Sequence, residues 1–342
     1  MKIEYPDYLN LFQCIAGDCP DTCCAGWEVD VEDESYDYYQ TVPGRFGDVL
    51  RSRIATEGGE HYFPLTPEGR CPFLNASNLC ELYVHLGEES LCRVCTEYPR
   101  YYMQVGDYEQ IDMSLSCMAL GRIFFSPEEH MQILTLRDDS VSDGDPLAED
   151  EEAHLQRVLE LRNETLDEVS LNPSLVLDKL HDNAGDRELF HIIDQFEILN
   201  ETCHGILQSL KKNPEQLRAL ERPFEKAAGG QVTDWFSRLY RYLVFRYFID
   251  AYYDDDILRE IRLCSRSLRL VYLMCLDRFR KKQSFDREDM VDLAHLFSKQ
   301  VEHSDQNVEA MKLVQGNGIP GMPVREGCHP AEPDSLTGFH TD

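Results

Sequence analysis

The chain has 342 residues, which predicts two domains, because a single domain usually holds roughly 100 to 200 residues. Its formal net charge of -30 argues against nucleic acid and anionic membrane surfaces as partners, since like charges repel. Charged residues interrupt every apolar stretch well before the roughly 18 residues that a membrane span needs. The chain opens on a polar, acidic segment without a secretory leader, so we expect a cytoplasmic protein that is not an integral membrane protein.

The first predicted domain, residues 1–125, has a short and broken pattern. Glycine and proline recur throughout it, which predicts short helices joined by loops. Residues 101–113 predict a small hairpin around Gly106 and Asp107. This part of the chain also carries nine of the thirteen cysteines.

Three runs of cysteines in this domain have the spacing of metal ligands. They are CPDTCC from residue 19, CPFLNASNLC from residue 71 and CRVC from residue 92. Paired cysteines at short spacing supply two soft ligands from one turn. The odd number of cysteines and the absence of a leader favour reduced thiols that bind metal over disulfides. The predicted ligands are Cys19, Cys23, Cys24, Cys71, Cys80, Cys92, Cys95 and Cys117.

The identity of the metal stays open at this point. Four thiolates hold either a tetrahedral zinc ion or a [4Fe-4S] cluster, and both accept ligation by cysteine alone. A radical S-adenosylmethionine enzyme is not supported, because Gly26 stands where the third cysteine of the CxxxCxxC signature belongs. No glycine-rich turn of the Rossmann type follows a predicted strand either.

The rest of the chain divides into three parts. Residues 126–152 are predicted to be an acidic linker, with eight carboxylates and no lysine or arginine between Asp138 and Glu152. Residues 153–314 are predicted to form a helical domain, since apolar residues recur at spacings of three and four. Residues 315–342 are rich in glycine and proline and predict a flexible tail. The predicted helices cover 147–161, 187–211, 214–228, 232–253, 257–281 and 287–314.

The predicted fold class is therefore mainly α. A cysteine-rich, metal-binding N-terminal domain of short helices and loops precedes an all-helical C-terminal domain. Four later cysteines are interpreted as bystanders, buried in helices or placed in the tail, because they have no partner at ligand spacing. They are Cys203, Cys264, Cys275 and Cys328.

The N-terminal cysteine pattern resembles that of the flagellin lysine-N-methylases. The resemblance is strongest over residues 14–119, and RYLVFRYF from residue 241 is the most similar piece of the helical half. The cysteine pattern is also similar, more distantly, to a family of small zinc- or iron-chelating CxxxCC proteins. The segments that carry the resemblance are CPDTCCAGW (19–27), DVEDESYDYY (30–39), CPFLNASNLCELYVHLG (71–87), LCRVCTEYPR (91–100) and LSCMA (115–119).

The resemblance implies a function. It implies a protein-lysine N-methyltransferase that modifies surface lysines of flagellin before export, with S-adenosylmethionine as methyl donor and an iron-sulfur cluster, 4Fe-4S, in the cysteine domain. Zinc is the alternative metal. The residues and their spacing do not identify a catalytic base. The alternative function is a non-catalytic metal-binding or redox-sensing interaction protein, which would bind metal and a partner but leave lysine unchanged.

The aromatic stretch 232–253 has two interpretations. Its aromatic side chains cover every face of a helix, which is typical of a fully buried central helix. In the other interpretation the helix lines a pocket where Arg241 and Arg246 bind the carboxylate of S-adenosylmethionine, because a guanidinium makes a planar two-point contact with a carboxylate.

Overall fold

The computed structural model describes residues 1–128, 131–137 and 146–313, and it divides into two compact units. The cysteine unit consists of Phe12–Tyr101 and Cys117–Ala119. The helical unit consists of Met1–Leu11, Tyr102–Ser116 and Leu120–Asp342. The mainly α fold class is confirmed.

Seven strands and fifteen α-helices make up the regular structure of these residues. The strands are β1 (Lys2–Pro6), β2 (Val29–Val31), β3 (Ala55–Glu57), β4 (Glu60–Phe63), β5 (Arg100–Val105), β6 (Tyr108–Met113) and β7 (Ile133–Arg137). The first helices are α1 (Asp33–Thr41), α2 (Gly44–Ser52), α3 (Glu81–Leu86), α4 (Arg93–Glu97), α5 (Met118–Phe124), α6 (Glu149–Leu171), α7 (Leu175–Leu180) and α8 (Asp186–Ile193). The others are α9 (Glu201–Lys212), α10 (Pro214–Ala228), α11 (Gln231–Tyr247), α12 (Ala251–Asp254), α13 (Ile257–Lys282), α14 (Arg287–Phe297) and α15 (Asp305–Lys312).

Short helices build the cysteine unit, as its broken pattern predicted, together with a small sheet that was not predicted. The sheet has the order β2-β4-β3, with antiparallel pairing. Its core is aromatic: Phe63 and Phe73 meet edge to face, with ring centroids 4.9 Å apart, and Tyr39 is fully buried. The Tyr39 hydroxyl donates to the Ser90 carbonyl oxygen at 2.7 Å, which satisfies a polar group that burial would otherwise leave unpaired.

The helical unit begins with a strand that the sequence pattern did not reveal. Strand β1 lies between β6, to which it is parallel, and antiparallel β7, in a sheet of order β5-β6-β1-β7. Strands β5 and β6 are neighbours on either side of Gly106 and Asp107, so the predicted hairpin is confirmed. The division between the two units does not fall at the predicted boundary, residue 125. Strands β1 and β6 precede that residue but pair in one sheet of the helical unit.

A buried ion pair joins this sheet to α6. Arg162 has no exposed side-chain surface and forms a salt bridge with Glu4 of β1. It also donates to the Tyr108 hydroxyl and to Oε1 of Gln110, both at 2.6 Å. Burial raises the pKa of Glu4, but Arg162 and Lys2 outweigh it and hold that pKa below the ordinary value.

The helices follow the predicted segments closely where proline and capping residues mark their ends. Helix α10 has the predicted limits, and α13 extends the predicted 257–281 by one residue. Three predicted helices are each divided in two, at 194–200, at 248–250 and at 298–304. The Gln300 side chain stabilises the first break, because it accepts from the amides of Leu199 and Asn200 and donates to the Glu197 carbonyl oxygen.

Helix α13 begins at a strong cap. The Asp256 carboxylate accepts from the backbone N–H groups of Leu258 and Arg259, at 3.1 and 3.3 Å. We expect Asp256→Ala to lower the free energy of unfolding of the helical unit by about 1 kcal/mol, since two N–H groups lose their acceptor. Urea denaturation followed by circular dichroism measures this change. Asp256→Asn is the matched control, because an amide oxygen caps as well as a carboxylate; an equal loss in both variants would contradict the capping argument.

Two predicted segments are described only in part. Of the acidic linker 126–152, residues 129, 130 and 138–145 lie outside the described residues, while β7 and the start of α6 fall within the rest of it. The tail 315–342 lies outside them entirely. Among the helices in the described ranges, none is both long enough and apolar enough to cross a membrane.

Candidate functional site

Backbone pairing brings the first two cysteine runs together. The N–H of Cys71 donates to the Cys24 carbonyl oxygen at 2.8 Å, and the N–H of Gly26 donates to Gly69 at 2.9 Å. Gly26 and Gly69 have φ values of 94° and 72°, a backbone conformation that glycine adopts without the steric cost of a Cβ. These two glycines, which flank the runs, therefore allow the backbone conformation in which the two turns pair.

The run from residue 71 closes on itself and leads into α3. The N–H of Leu74 donates to the Cys71 carbonyl oxygen at 3.0 Å, and Leu74 forms an isolated antiparallel bridge with Cys80. Cys80 stands at the N-cap of α3, and Cys92 takes the same position at α4. Each of these short helices thus starts at a cysteine.

Five of the eight predicted ligands surround one apolar core. Cys71 and Cys92 are buried in it beside Phe73, and three further cysteines pack against it. Burial, together with the negative charge of neighbouring thiolates, raises the pKa of Cys71 to about 12. We call this group the thiol cluster; its members are Cys24, Cys71, Cys80, Cys92 and Cys95.

The other predicted ligands lie around the first run. The Cys23 thiol hydrogen-bonds to Cys24, which raises the pKa of Cys23 and lowers that of Cys24 to about 6. Charges on Cys117 and Cys14 raise the pKa of Cys23 further, so these thiols are neighbours. The Cys19 thiol donates to the Asp21 carbonyl oxygen at 3.2 Å. The twelve cysteines of the described ranges form no disulfide.

The thiol cluster has the donor chemistry of a metal centre. In the described part of the chain, no three His, Cys, Asp or Glu side chains stand close enough together to hold a metal ion. The cluster nevertheless brings five soft donors around one core, where burial and the neighbouring thiols raise the pKa of Cys71, Cys80 and Cys95, and a bound cation would favour their thiolate form. The residues fit a thiolate-bound centre by composition and neighbourhood, and binding would draw their side chains closer together.

The prediction that three later cysteines are buried in helices is confirmed. Cys203, Cys264 and Cys275 are each at most 1% exposed on helices of the helical unit, and burial raises the pKa of each thiol. Such thiols are unreactive hydrophobic side chains. Cys328 lies outside the described residues.

Both arginines proposed for the methyl donor interact with other groups of the helical unit. Arg246 lies 3.3 Å from a carboxylate oxygen of Asp112 and 3.3 Å from one of Glu302. Arg241 donates to the Met131 carbonyl oxygen at 2.6 Å. Their helix α11 is buried along most of its length, as the first of the two interpretations expects, and donor binding by the two arginines stays a prediction.

A shallow cleft of about 440 Å³ opens in the helical unit, a volume within the range of small-molecule sites. Arg238 of α11 stabilises the backbone at this cleft, because it donates to the carbonyl oxygens of Phe124 and Ser126 at 2.8 and 2.9 Å. The lining residues are Leu11, Arg122, Ile123, Ser126, Pro127 and Glu128.

Asp112, Glu302 and Tyr8 are buried polar residues that sequence reasoning did not identify. Tyr8 donates a hydrogen bond to Asp112, and these two residues are 104 positions apart in the sequence. Glu302 is a further 190 positions beyond Asp112. Spacing rules apply within a turn or a helix, so they do not reveal such pairs. Asp112 lies among other polar residues in YEQIDM at 108–113, so the local sequence does not single it out.

One family model and several curated proteins match parts of the chain. A family model described as the FliB lysine N-methylase C-terminal domain matches residues 137–319. The flagellar biosynthetic protein FliU of Salmonella muenchen is 26% identical over 136 residues, which cover 37% of this chain and 80% of that protein. No solved structure matches the chain.

Two curated lysine-N-methylases are similar at comparable identity. The protein of Salmonella typhimurium is 25% identical over 136 residues, and that of Salmonella choleraesuis is 24% identical over 137 residues. Each alignment covers 37% of this chain and 34% of the relative, so the match spans about a third of those two enzymes.

Proposed function

The chain belongs to the FliB lysine N-methylase family, and from that membership we propose that it is a protein-lysine N-methyltransferase that modifies surface lysines of flagellin. The observation that carries this proposal is the family match over residues 137–319, which covers more than half of the chain. The names of the similar Salmonella proteins support it. Flagellin is in the cytoplasm before its export, so the proposed reaction takes place there.

The proposed methyl donor is S-adenosylmethionine. Its methyl group is bound to a positively charged sulfur, so a neutral amine attacks the methyl carbon and sulfur leaves as a thioether. A lysine ammonium, with an ordinary pKa near 10.4, must first lose its proton. In this proposal Arg241 and Arg246 bind the donor's carboxylate, and Arg246 exchanges its contacts with Asp112 and Glu302 for that carboxylate.

The proposed metal centre lies in the cysteine unit. Four members of the thiol cluster would hold a [4Fe-4S] cluster, with zinc as the alternative metal. Such a centre supplies a redox-active cluster or a structural cross-link of four thiolates. The neighbourhood of Cys24, Cys71, Cys80, Cys92 and Cys95 around one core supports this assignment.

A second candidate function is a non-catalytic metal-binding or redox-sensing interaction protein. One observation favours it: the thiol cluster lies outside residues 137–319, so the family match does not extend to it. Such a protein would bind metal through the same thiols and leave lysine unmodified.

Transfer of labelled methyl groups separates the two candidates. We expect the protein, purified without oxygen, to transfer label from S-adenosylmethionine to lysine side chains of flagellin, located by mass spectrometry of peptides. Flagellin with chemically acetylated lysines is the control and should remain unlabelled, because its amides are not nucleophilic. A metal-loaded protein that binds flagellin but transfers no label would favour the interaction protein.

A further inference from the structure

A group of charged and phenolic side chains lies buried in the helical unit around Arg246. Nη1 of Arg246 lies 3.3 Å from Oδ2 of Asp112 on β6, and Nε lies 3.3 Å from Oε1 of Glu302. The guanidinium carbon also lies 6.0 Å from the ring centroid of Tyr242 and 5.7 Å from that of Tyr247. We call the four side chains around Arg246 the cation cage, since two carboxylates and two aromatic rings surround one cation.

Hydrogen bonds hold the two carboxylates of the cage in place. The Tyr242 hydroxyl lies 3.1 Å from both oxygens of Glu302, and the Tyr247 hydroxyl donates to Oε1 at 3.1 Å. Tyr8 donates to Asp112 from outside the cage. The Asp112 and Glu302 side chains are 3% and 1% exposed. The carboxylates are therefore fixed acceptors in a site that excludes most water.

The cage holds more negative than positive charge when both carboxylates are ionised. Burial raises the pKa of Asp112, and the charge of Glu302 raises it further, while Arg246 lowers it. Burial and the charges of Arg246 and Lys299 lower the pKa of the nearby His303 to about 4, so at neutral pH that imidazole adds no positive charge. Perturbed pKa values cluster at functional sites, so this buried carboxylate pair with one shared guanidinium is a candidate for such a site.

Glu302 is held by an unusual backbone element. It is the last residue of a π-helical turn, Ser298–Glu302, between α14 and α15. Single π-helical turns inside helical segments are rare and frequently occur at functional sites. This observation about the backbone is independent of the charges in the cage.

We infer that the cation cage is the site that receives the ammonium of the substrate lysine, in place of the Arg246 guanidinium, and that its carboxylate pair accepts the lysine proton. This inference rests on the proposed function, and it names the residues that act on the acceptor. A lysine side chain and an arginine side chain both present a cation on a flexible aliphatic stem, so the same carboxylates and rings suit either one. Arg246 fills the cage when substrate is absent.

The step balances in atoms and charge. The ammonium gives one proton to the Asp112–Glu302 pair, which leaves a neutral amine. The amine lone pair forms a bond to the methyl carbon of the sulfonium donor, and the electrons of the broken carbon–sulfur bond stay on sulfur as a thioether. The product is a methylated ammonium, and the carboxylate pair later releases its proton to water.

Substitution of Glu302 tests the catalytic part of the inference. We expect Glu302→Gln to lower kcat for flagellin methylation by about a hundredfold or more, because an amide accepts the two tyrosine hydrogen bonds but takes no proton. Arg246 keeps Asp112 as a carboxylate partner, so the variant should remain folded, with an affinity for S-adenosylmethionine close to that of the original protein. Glu288→Gln, an exposed substitution on α14, is the matched control. A folded Glu302→Gln variant with an unchanged kcat would overturn the inference.

A binding experiment tests the cage without any activity. We expect n-butylammonium, the cation of a lysine side chain, to shift the Arg246 Nε–Hε resonance in a saturable manner in ¹⁵N NMR spectra. Arg246→Lys identifies the resonance by its loss, and sodium chloride at equal ionic strength is the control. If n-butylammonium shifts the resonance no more than sodium chloride does, the cage does not receive the ammonium. This titration tests whether the cage receives an ammonium even if Glu302→Gln fails to fold.

The two experiments separate this inference from the proposed function. A saturable shift of Arg246 together with no methylation of flagellin would support the cage and contradict the proposed function. Methylation of flagellin at an equal rate by the original protein and by Glu302→Gln would support the proposed function and contradict the role of the cage.

Discussion

Replacing Arg162 with methionine will lower the free energy of unfolding of the helical unit by about 3–5 kcal/mol, the usual cost of removing one partner from a buried ion pair. The substitution removes the buried cation beside Glu4 and leaves only Lys2, whose side chain is 36% exposed, as its partner; it also removes a donor from Tyr108 and Gln110. Urea denaturation followed by circular dichroism measures the loss. The matched control is Arg157→Met, an exposed arginine of the same helix, for which little change is expected.

Two further measurements identify the cause of that loss. Because the pKa of folded Glu4 lies below its ordinary value of 4.5, the stability from this pair is present above pH 4.5 and disappears as the pH falls through the folded pKa. The difference between the original protein and Arg162→Met should therefore shrink in acid. Adding Glu4→Gln to Arg162→Met should restore part of the stability, since the buried carboxylate charge that lost the Arg162 guanidinium is then removed. A loss that is independent of pH and unaffected by Glu4→Gln would contradict the ion-pair explanation.

Replacing Cys92 with serine will abolish metal retention by the cysteine unit. Cys92 is fully buried in the core that the thiol cluster shares. Substituting a residue that merely supports a metal ligand lowers metal affinity roughly 10–100-fold, so we expect the loss of a direct ligand to exceed about 100-fold. Iron, sulfide and zinc analysis after purification without oxygen, together with the absorption spectrum, measures the effect.

Cys14→Ser is the matched control for this substitution. Cys14 is exposed, lies in the same unit and is not a predicted ligand, so its variant should keep the metal content of the original protein. Equal metal loss in both variants would indicate general damage to the unit. Full metal retention by Cys92→Ser would remove Cys92 from the ligand set.

Local patterns predicted the helices, while the sheets depend on contacts between distant residues. Helix α10 begins at Pro214 and ends before Gly229, and both residues are helix-end signals that the sequence displays. Strand β1 forms only because β6 and β7 pair with it, more than a hundred residues later. No periodicity within five residues encodes that pairing.

The candidate site could likewise be predicted from the sequence only in part. The cysteine runs predicted a common centre from spacing alone, and the thiol cluster brings five of those side chains around one core. Arg246 was singled out for a ligand's carboxylate, whereas Asp112 and Glu302 are its partners in the structure. A guanidinium binds a carboxylate with the same planar geometry whether that carboxylate belongs to a ligand or to the protein. Only the fold shows which carboxylate lies within reach of Arg246.

The most direct test of this account is the rate of labelled methyl transfer to flagellin before metal removal, after it and after anaerobic reconstitution. We expect transfer by the loaded protein, loss of transfer on removal of the metal and recovery on reconstitution, with the label on lysine side chains. No transfer by the fully loaded protein would contradict the proposed methyltransferase, and equal transfer in all three states would contradict a role for the thiolate-bound centre.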